Sequence, residues 1–246
     1  MKKFILSILL GFCILGTQLN FANTAAEAEK AYQAKNYEKS VQIYESLLKQ
    51  NESNSDLLYN LGNAYLKNNQ LGLAIAMYRK AQVLSPRDKD LKKNLSIARK
   101  LVLDETKPQQ APVMTWFIDF LKLFSLNEFY LGLLFIFLAL NILLILKFLD
   151  RKPGLIKQLL VVWSVVFISY LFLFSIKSSL NSVDGSGVLV VKKVDVKSGP
   201  SETLPTLYYI HEGVEFEILK SVNGWSEIQL PNGYNGWVKQ GVYLVI

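Results

Sequence analysis

The chain holds little of what enzymes usually build with. Cysteine occurs once in 246 residues, at Cys13, and histidine once, at His211. A lone cysteine inside an apolar leader-like run excludes an internal disulfide, and removal of that run would leave no thiolate nucleophile and no Cys-based metal site. The phosphate-binding GxxxxGK[ST], the zinc-binding HExxH and the nucleophile elbow GxSxG are all absent. One SxxK spacing occurs, Ser46-Leu47-Leu48-Lys49, but neither SDN nor KTG comes after it. These absences predict a chain that is not an enzyme, with no catalytic residue, no cofactor and no metal. Charge is sparse as well, at 19% of residues against 51% hydrophobic, which predicts that part of the chain sits in lipid. The net charge of +7 is not gathered on one face. Between residues 30 and 107 its cations are interleaved with Glu38, Glu45, Asp56, Asp88, Asp90 and Asp104, a solvated helical surface that argues against nucleic acid.

Residues 1–26 have the three-part form of an export signal: Lys2 and Lys3, an apolar run from Phe4 to Leu15, then Asn23-Thr24-Ala25-Ala26. Cleavage near Ala22 or Ala26 removes Cys13; retention as an anchor still exports the residues C-terminal to it. Phe12 before Cys13 disfavours a lipoprotein reading, which wants a small residue there.

Residues 27–106 carry an internal repeat. Leu58, Leu61, Gly62, Tyr65, Ala74, Tyr78, Ala81 and Pro86 match the tetratricopeptide (TPR) pattern almost position for position. A step of 34 residues back reaches a weaker copy at Ala28, Ala31, Tyr37, Ser40, Tyr44 and Leu47. The spacing predicts helix pairs over 25–34 with 37–50 and over 55–68 with 71–84. A step forward falls on Leu95, and the stretch Asp88 to Glu105 reads as a final helix covering the apolar edge. Gly62 and Ala74 are small where paired helices cross closely, Tyr65 and Tyr78 fill the gap between pairs, and Pro86 stops the second helix. First helices line the inner groove of such a stack, so Asp56, Tyr59, Asn60, Asn63 and Lys67 are candidate partner-binding residues; plain solvation is the alternative. The cations of a carboxylate clamp are missing, since Ala22, Ala26 and Asp90 stand at the neighbouring positions.

Residues 107–128 begin with the Pro/Gln linker KPQQAP and continue through MTWFIDFLKLFSL, read as a helix at the lipid interface. Residues 129–148 and 158–176 are apolar enough and long enough to span about 30 Å of hydrocarbon. The loop 149–157 between them, with Lys147 at its edge, carries Arg151, Lys152 and Lys157 against Asp150. Short basic loops stay in the cytoplasm, which predicts a bacterial inner-membrane protein with both flanking modules periplasmic. Asn141, the strongly polar residue within the first span, reads as helix-helix glue or as part of a conduction path; no acid or base lies beside it for a proton relay.

After a linker, 177–186, residues 187–246 change to short β-rich runs broken by Gly, Asn and Pro, the pattern of a small antiparallel barrel. Val196 to Ser201, His211-Glu212-Gly213, Asn223-Gly224-Trp225 and Asn232-Gly233 followed by Gly236-Trp237 resemble, in order, the turns of bacterial SH3-like (SH3b) domains. Asn-Gly pairs suit tight hairpins, and Trp225 and Trp237 bury the area a small barrel needs. Tyr208, Trp225, Tyr234 and Trp237 are a candidate ligand groove, with a structural role for the tryptophans as the alternative. His211 reads as a turn residue.

The resulting fold class is a multidomain membrane protein: a TPR module, two transmembrane helices and a small all-β SH3-like barrel. That order of parts, with the motifs of 58–98 and 188–238, resembles the BatE-type proteins of Bacteroides aerotolerance operons. The resemblance implies a scaffold whose partners are membrane-anchored von Willebrand A-type proteins and a MoxR-type ATPase system, with a role in oxidative-stress tolerance or envelope integrity. The competing reading is a sensor that binds peptidoglycan peptides through its SH3-like domain.

Overall fold

The computed structural model describes residues 24–106, 114–149, 153–180 and 185–246. The proposed leader up to Asn23, the linker 107–113, and Asp150, Arg151 and Lys152 of the basic loop lie outside the described residues. The chain divides into two compact units: the repeat helices together with the C-terminal sheet, and the apolar helices between them.

The first unit opens with α1 (24–33), α2 (Tyr37–Leu48), α3 (Ser55–Lys67), α4 (Leu71–Leu84) and α5 (Lys89–Arg99). Each start has a local cause. Asn36, Asn54 and Asp88 accept backbone N–H bonds from the first turns of α2, α3 and α5, groups that would otherwise be unpaired. Lys35 and Asn69 take left-handed backbone at φ 61° and 59°, and the N–H groups of Asn36 and Gln70 reach back to Ala31 and Tyr65. This closes α1 and α3 and turns the chain into the next helix. Packing explains the small residues: a Cβ on Gly62 would lie 2.7 Å from two ring carbons of Tyr78. Ala28 and Ser40 hold the equivalent crossing in the first pair, where the Ser40 hydroxyl donates to the Ala28 carbonyl at 3.0 Å. Tyr65 reaches back to the preceding pair and donates to Glu45.

The predicted final helix does not run to Glu105. It ends at Arg99, and the chain from Lys100 turns away through 3₁₀-type bonds, Leu101 to Ala98 and Val102 to Arg99. The repeat register also extends further than Leu95. Leu57, Asn60, Leu61 and Ala64 of α3 recur as Leu91, Asn94, Leu95 and Ala98 of α5, and the apolar members of both sets are buried. Helix α5 thus carries the buried pattern of α3 one repeat length further.

The sheet contains β1 (Ser186–Leu189), β2 (Lys193–Lys197), β3 (Thr206–His211), β4 (Glu215–Val222), β5 (Trp225–Gln229), β6 (Asn235–Lys239) and β7 (Tyr243–Val245), in the order β3-β2-β6-β5-β4-β1-β7 with antiparallel pairing. It is an SH3-like all-β module. Leu189, Val196, Ile210, Val214, Phe216, Ile228, Leu230 and Val238 form its core. Val222 pairs with Trp225 across Asn223-Gly224, whose φ values are 50° and 78°, the mirror-image turn that matches strand twist.

The second unit holds α6 (Met114–Lys122), α7 (Leu126–Phe148) and α8 (Pro153–Leu180). The predicted interfacial helix stops at Lys122 because Ser125 and Glu128 cap α7 reciprocally. Helices α7 and α8 are long and apolar enough to cross a membrane, and each extends beyond the predicted span. They run antiparallel: Phe129 meets Tyr170 and Tyr130 meets Phe174, at ring distances of 5.6 and 5.1 Å. Gly132 allows the close approach, since a Cβ there would lie 2.1 Å from the Tyr170 hydroxyl, which donates to the Phe129 carbonyl at 3.3 Å. Asn141 does not bridge to α8; its amide donates to Phe137 within its own helix at 2.8 Å.

Candidate partner-binding surfaces

On α3 the spacing 56, 59/60, 63, 67 places the predicted groove residues on one face. Asp56 and Lys67 are exposed at its ends; Tyr59, Asn60 and Asn63 are half-buried between them. Two of the five are tied into a network. The Tyr78 hydroxyl donates to Asn63 Oδ1 at 2.7 Å, and the Asn94 amide lies 2.9 Å from both Asn63 Oδ1 and the Tyr59 hydroxyl. The rings of Tyr59 and Tyr78 stand 6.0 Å apart. Burial raises the pKa of Tyr78, with Tyr59 and Tyr32 adding to the shift, and burial likewise raises that of Tyr32, with Tyr37, Glu29 and Tyr59 contributing. The face is therefore a tyrosine-lined wall running from α1 through α3 to α5, with amides rather than charges at its centre. Tyr32 and Asn94 were missed as groove residues, yet Asn94 lies one repeat length after Asn60, which was the available signal. Ser46, by contrast, is exposed and donates to the Ile43 carbonyl at 2.7 Å, a local helix bond with no link to Lys49.

The four aromatic residues of the predicted SH3-like groove do not form one surface. Tyr208 opposes Val196 and packs against the core, with its ring 5.9 Å from that of Tyr234, which is 65% exposed. The Tyr208 hydroxyl is buried without a hydrogen-bond partner among the described residues, and burial pushes its pKa up to about 12. Trp225 and Trp237 are on the other face of the sheet. Their strand neighbours Ser226 and Val238 are fully buried, while Trp225 opposes Lys239 and Trp237 opposes Glu227. Lys220 and Lys239 ammonium groups lie 5.2 Å from the Trp237 ring and 5.8 Å from the Trp225 ring, a favourable cation–π arrangement. The tryptophans are buried but stand outside the core cluster.

A third surface was not foreseen: the SH3-like sheet is seated on the repeat module. Glu212 accepts the Gly72 N–H at 2.9 Å and pairs with Lys192, whose ammonium also reaches the Asn69 carbonyl at 3.3 Å. His211 is no turn residue but the last of β3. Its backbone N–H donates to Asp104 at 2.8 Å and its Nδ1 lies 3.2 Å from the same carboxylate. Glu215 accepts from Arg79 at 2.9 Å and from Arg99 at 2.6 and 2.9 Å. Between these polar contacts Gly213, at φ +91°, packs so closely that a Cβ would lie 2.9 Å from Val102 and 3.0 Å from Ile75. This explains why α5 stops early, since residues 100–104 are needed against the sheet. The contact uses the second helix of the repeat, α4, and leaves the α3 face of Asp56, Asn60 and Lys67 uncovered.

Comparison with known proteins agrees with this division. Residues 55–88 match the tetratricopeptide repeat family model, and residues 192–244 match the bacterial SH3 domain model. Both are non-catalytic binding modules. A stretch of 82 residues taking in the SH3-like region is 30% identical to a "Putative N-acetylmuramoyl-L-alanine amidase YrvJ" of Bacillus subtilis (strain 168), covering 33% of this chain and 15% of that protein. The chain thus spans less than a sixth of that relative's length. Among solved structures, the Yersinia enterocolitica type III secretion chaperone SycD in complex with a peptide of the translocator YopD is 16% identical, with 62% of this chain and 93% of that chain covered and a TM-score of 0.31. A further SycD structure gives the same identity and score, with 61% and 83% covered. That score is too low for shared architecture to be argued from it.

Proposed function

We infer that the chain is a membrane-anchored scaffold, holding a TPR groove and an SH3-like module on the periplasmic face of the bacterial inner membrane for assembly with protein partners. The observation that carries this reading is the seating of the sheet on α4. It makes the two modules one body, which requires both on the same side of the membrane, and it leaves the tyrosine and asparagine face of α3 open. The basic loop 149–157 and the leader 1–26 support the periplasmic side. The chain after α5 continues into contact with the sheet, through Asp104 and His211. The partners that fit the BatE resemblance are von Willebrand A-type membrane proteins and a MoxR-type ATPase system acting in oxidative-stress tolerance. Tyr59, Asn63 and Lys67, together with Asp56 and Asn60, are the proposed contacts, because recognition concentrates in a few aromatic and polar anchors. Replacing Tyr59, Asn63 and Lys67 by Ala tests it: membrane partners that co-purify with the detergent-solubilised wild-type chain should be lost at unchanged protein abundance. Full retention of partners would contradict the reading.

A second reading has its own support. The exposed Tyr234 beside the Tyr208 hydroxyl, which has no partner among the described residues, with the similarity to a putative N-acetylmuramoyl-L-alanine amidase, favours binding of peptidoglycan peptides by the SH3-like module. Retention of the solubilised chain on sacculi, lost on Tyr234→Ala, would establish it; passage of the wild-type chain without retention would remove it.

A further inference from the structure

The amide of Asn141 sits in the apolar span α7 with its bonding capacity only partly used. One N–H goes to the Phe137 carbonyl; among the described residues nothing bonds its second N–H or its Oδ1. The residues of α7 packed toward α8, Phe129 and Ile136, are buried, and about one and two helical turns beyond Ile136 the half-buried Ala139 and Leu143 continue that side. At 100° per residue Asn141 falls about 140° from Ile136 around the helix, on the side where Leu134, Phe137, Leu138 and Ile145 are more than half exposed. Tyr130 on that side reaches Phe174 of α8 near the start of the helix, but Asn141, half-buried, bonds nothing on α8 among the described residues. It lies four residues from the middle of the 23-residue helix, about 6 Å along the axis, well inside the hydrocarbon. No lipid tail can bond an amide, and an unsatisfied polar group there costs several kcal/mol.

The geometry points to a second copy of this chain as the group that meets Asn141: two α7 helices pack through this face, each amide donating to the Oδ1 of the other. Three features single out a copy over a different helix. A carboxamide is donor and acceptor at once, so it complements itself. An identical span places its Asn141 at the same depth without further adjustment. A two-fold contact also lets the same bulky residues, Leu134, Phe137, Leu138 and Ile145, enclose the pair and exclude competing polar groups.

The test uses the full chain in two differently tagged forms, co-expressed, solubilised and captured through one tag. Wild-type chains should capture each other. Asn141→Leu should weaken capture about 3- to 30-fold, the range for an interhelical hydrogen bond in a membrane, while Asn141→Gln retains it. In the Cys13→Ser background, Ile145→Cys should form a cross-linked dimer, whereas Ile136→Cys, turned toward α8, should not. Absence of mutual capture by wild-type chains, equal capture by Asn141→Leu, or cross-linking from Ile136 in place of Ile145 would overturn the proposal. Cross-linking of Ile145 to a different membrane protein, without self-capture, would assign the face to that partner and refute the second copy.

Discussion

Replacing Gly72 with alanine should loosen the SH3-like sheet from the repeat module, although alanine is the better helix former. The added Cβ would lie 2.2 Å from the Leu189 carbonyl oxygen, 2.8 Å from Val190 Cα and 2.9 Å from Glu212 Cγ. The first two are backbone atoms and cannot rotate aside, so β1 has to retreat by on the order of 1 Å to reach ordinary contact. That movement stretches the 2.9 Å bond from Gly72 to Glu212. Overpacking costs about 1–3 kcal/mol and loss of a hydrogen bond to a charged group about 1.5–3 kcal/mol. The gain in helix propensity is about 0.5–1 kcal/mol. Docking should therefore weaken by roughly 2–5 kcal/mol, at least about 30-fold in equilibrium. Hydrogen exchange on the full chain reads this directly, through faster exchange in peptides covering residues 69–76 and 209–215 with α3 unchanged. Gly154→Ala, whose Cβ meets nothing within 4 Å, serves as the control. Wild-type exchange across the Gly72→Ala contact would refute the seating of the sheet on α4.

Gly62→Leu should destabilise the repeat module by about 1–3 kcal/mol or more, because even a Cβ collides with the Tyr78 ring; an unchanged melting curve would rule out the helix crossing. Burial raises the pKa of Tyr44 to about 12, with Glu29 adding to it, and raises those of Tyr65 and Tyr78 as well. A pKa raised in the fold means stability fully present below pH 10 and lost as pH climbs through about 12. Alkaline titration should show delayed phenolate absorbance and unfolding over that window, and Tyr44→Phe should reduce the delay. A reporter active only outside the cytoplasm should work after Ile246 and fail at Lys152; the opposite pattern would invert the proposed topology.

The features legible in the sequence were those that local periodicity and turn chemistry determine. The TPR spacing located α2, α3 and α4 to within a residue or two, and Asn223-Gly224 located the β4–β5 turn, because each depends on residues close in the chain. The two apolar runs stood out by length alone, although charged ends such as Lys177 concealed how far α8 continues. Contacts that join distant segments left no such trace. Glu212 and Gly72 are 140 residues apart, and His211 resembled a turn residue because its partner, Asp104, belongs to another module. The groove was half legible: the helical face of α3 can be read from spacing, but its continuation to Asn94 required the repeat to be carried one step further. The SH3-like aromatics were misassigned to one groove because strand alternation puts Trp225 and Trp237 on one face and Tyr208 on the other, and only the register decides which.

The central claim is that the α3 face holds partners while the back of the repeat module does not. A photo-activatable side chain at Asn60, compared with one at Glu38 on the outer helix α2, tests it in intact cells. Covalent adducts to membrane proteins from Asn60 and none from Glu38 are the predicted result. Equal labelling from both positions, or adducts from Glu38 alone, would contradict it.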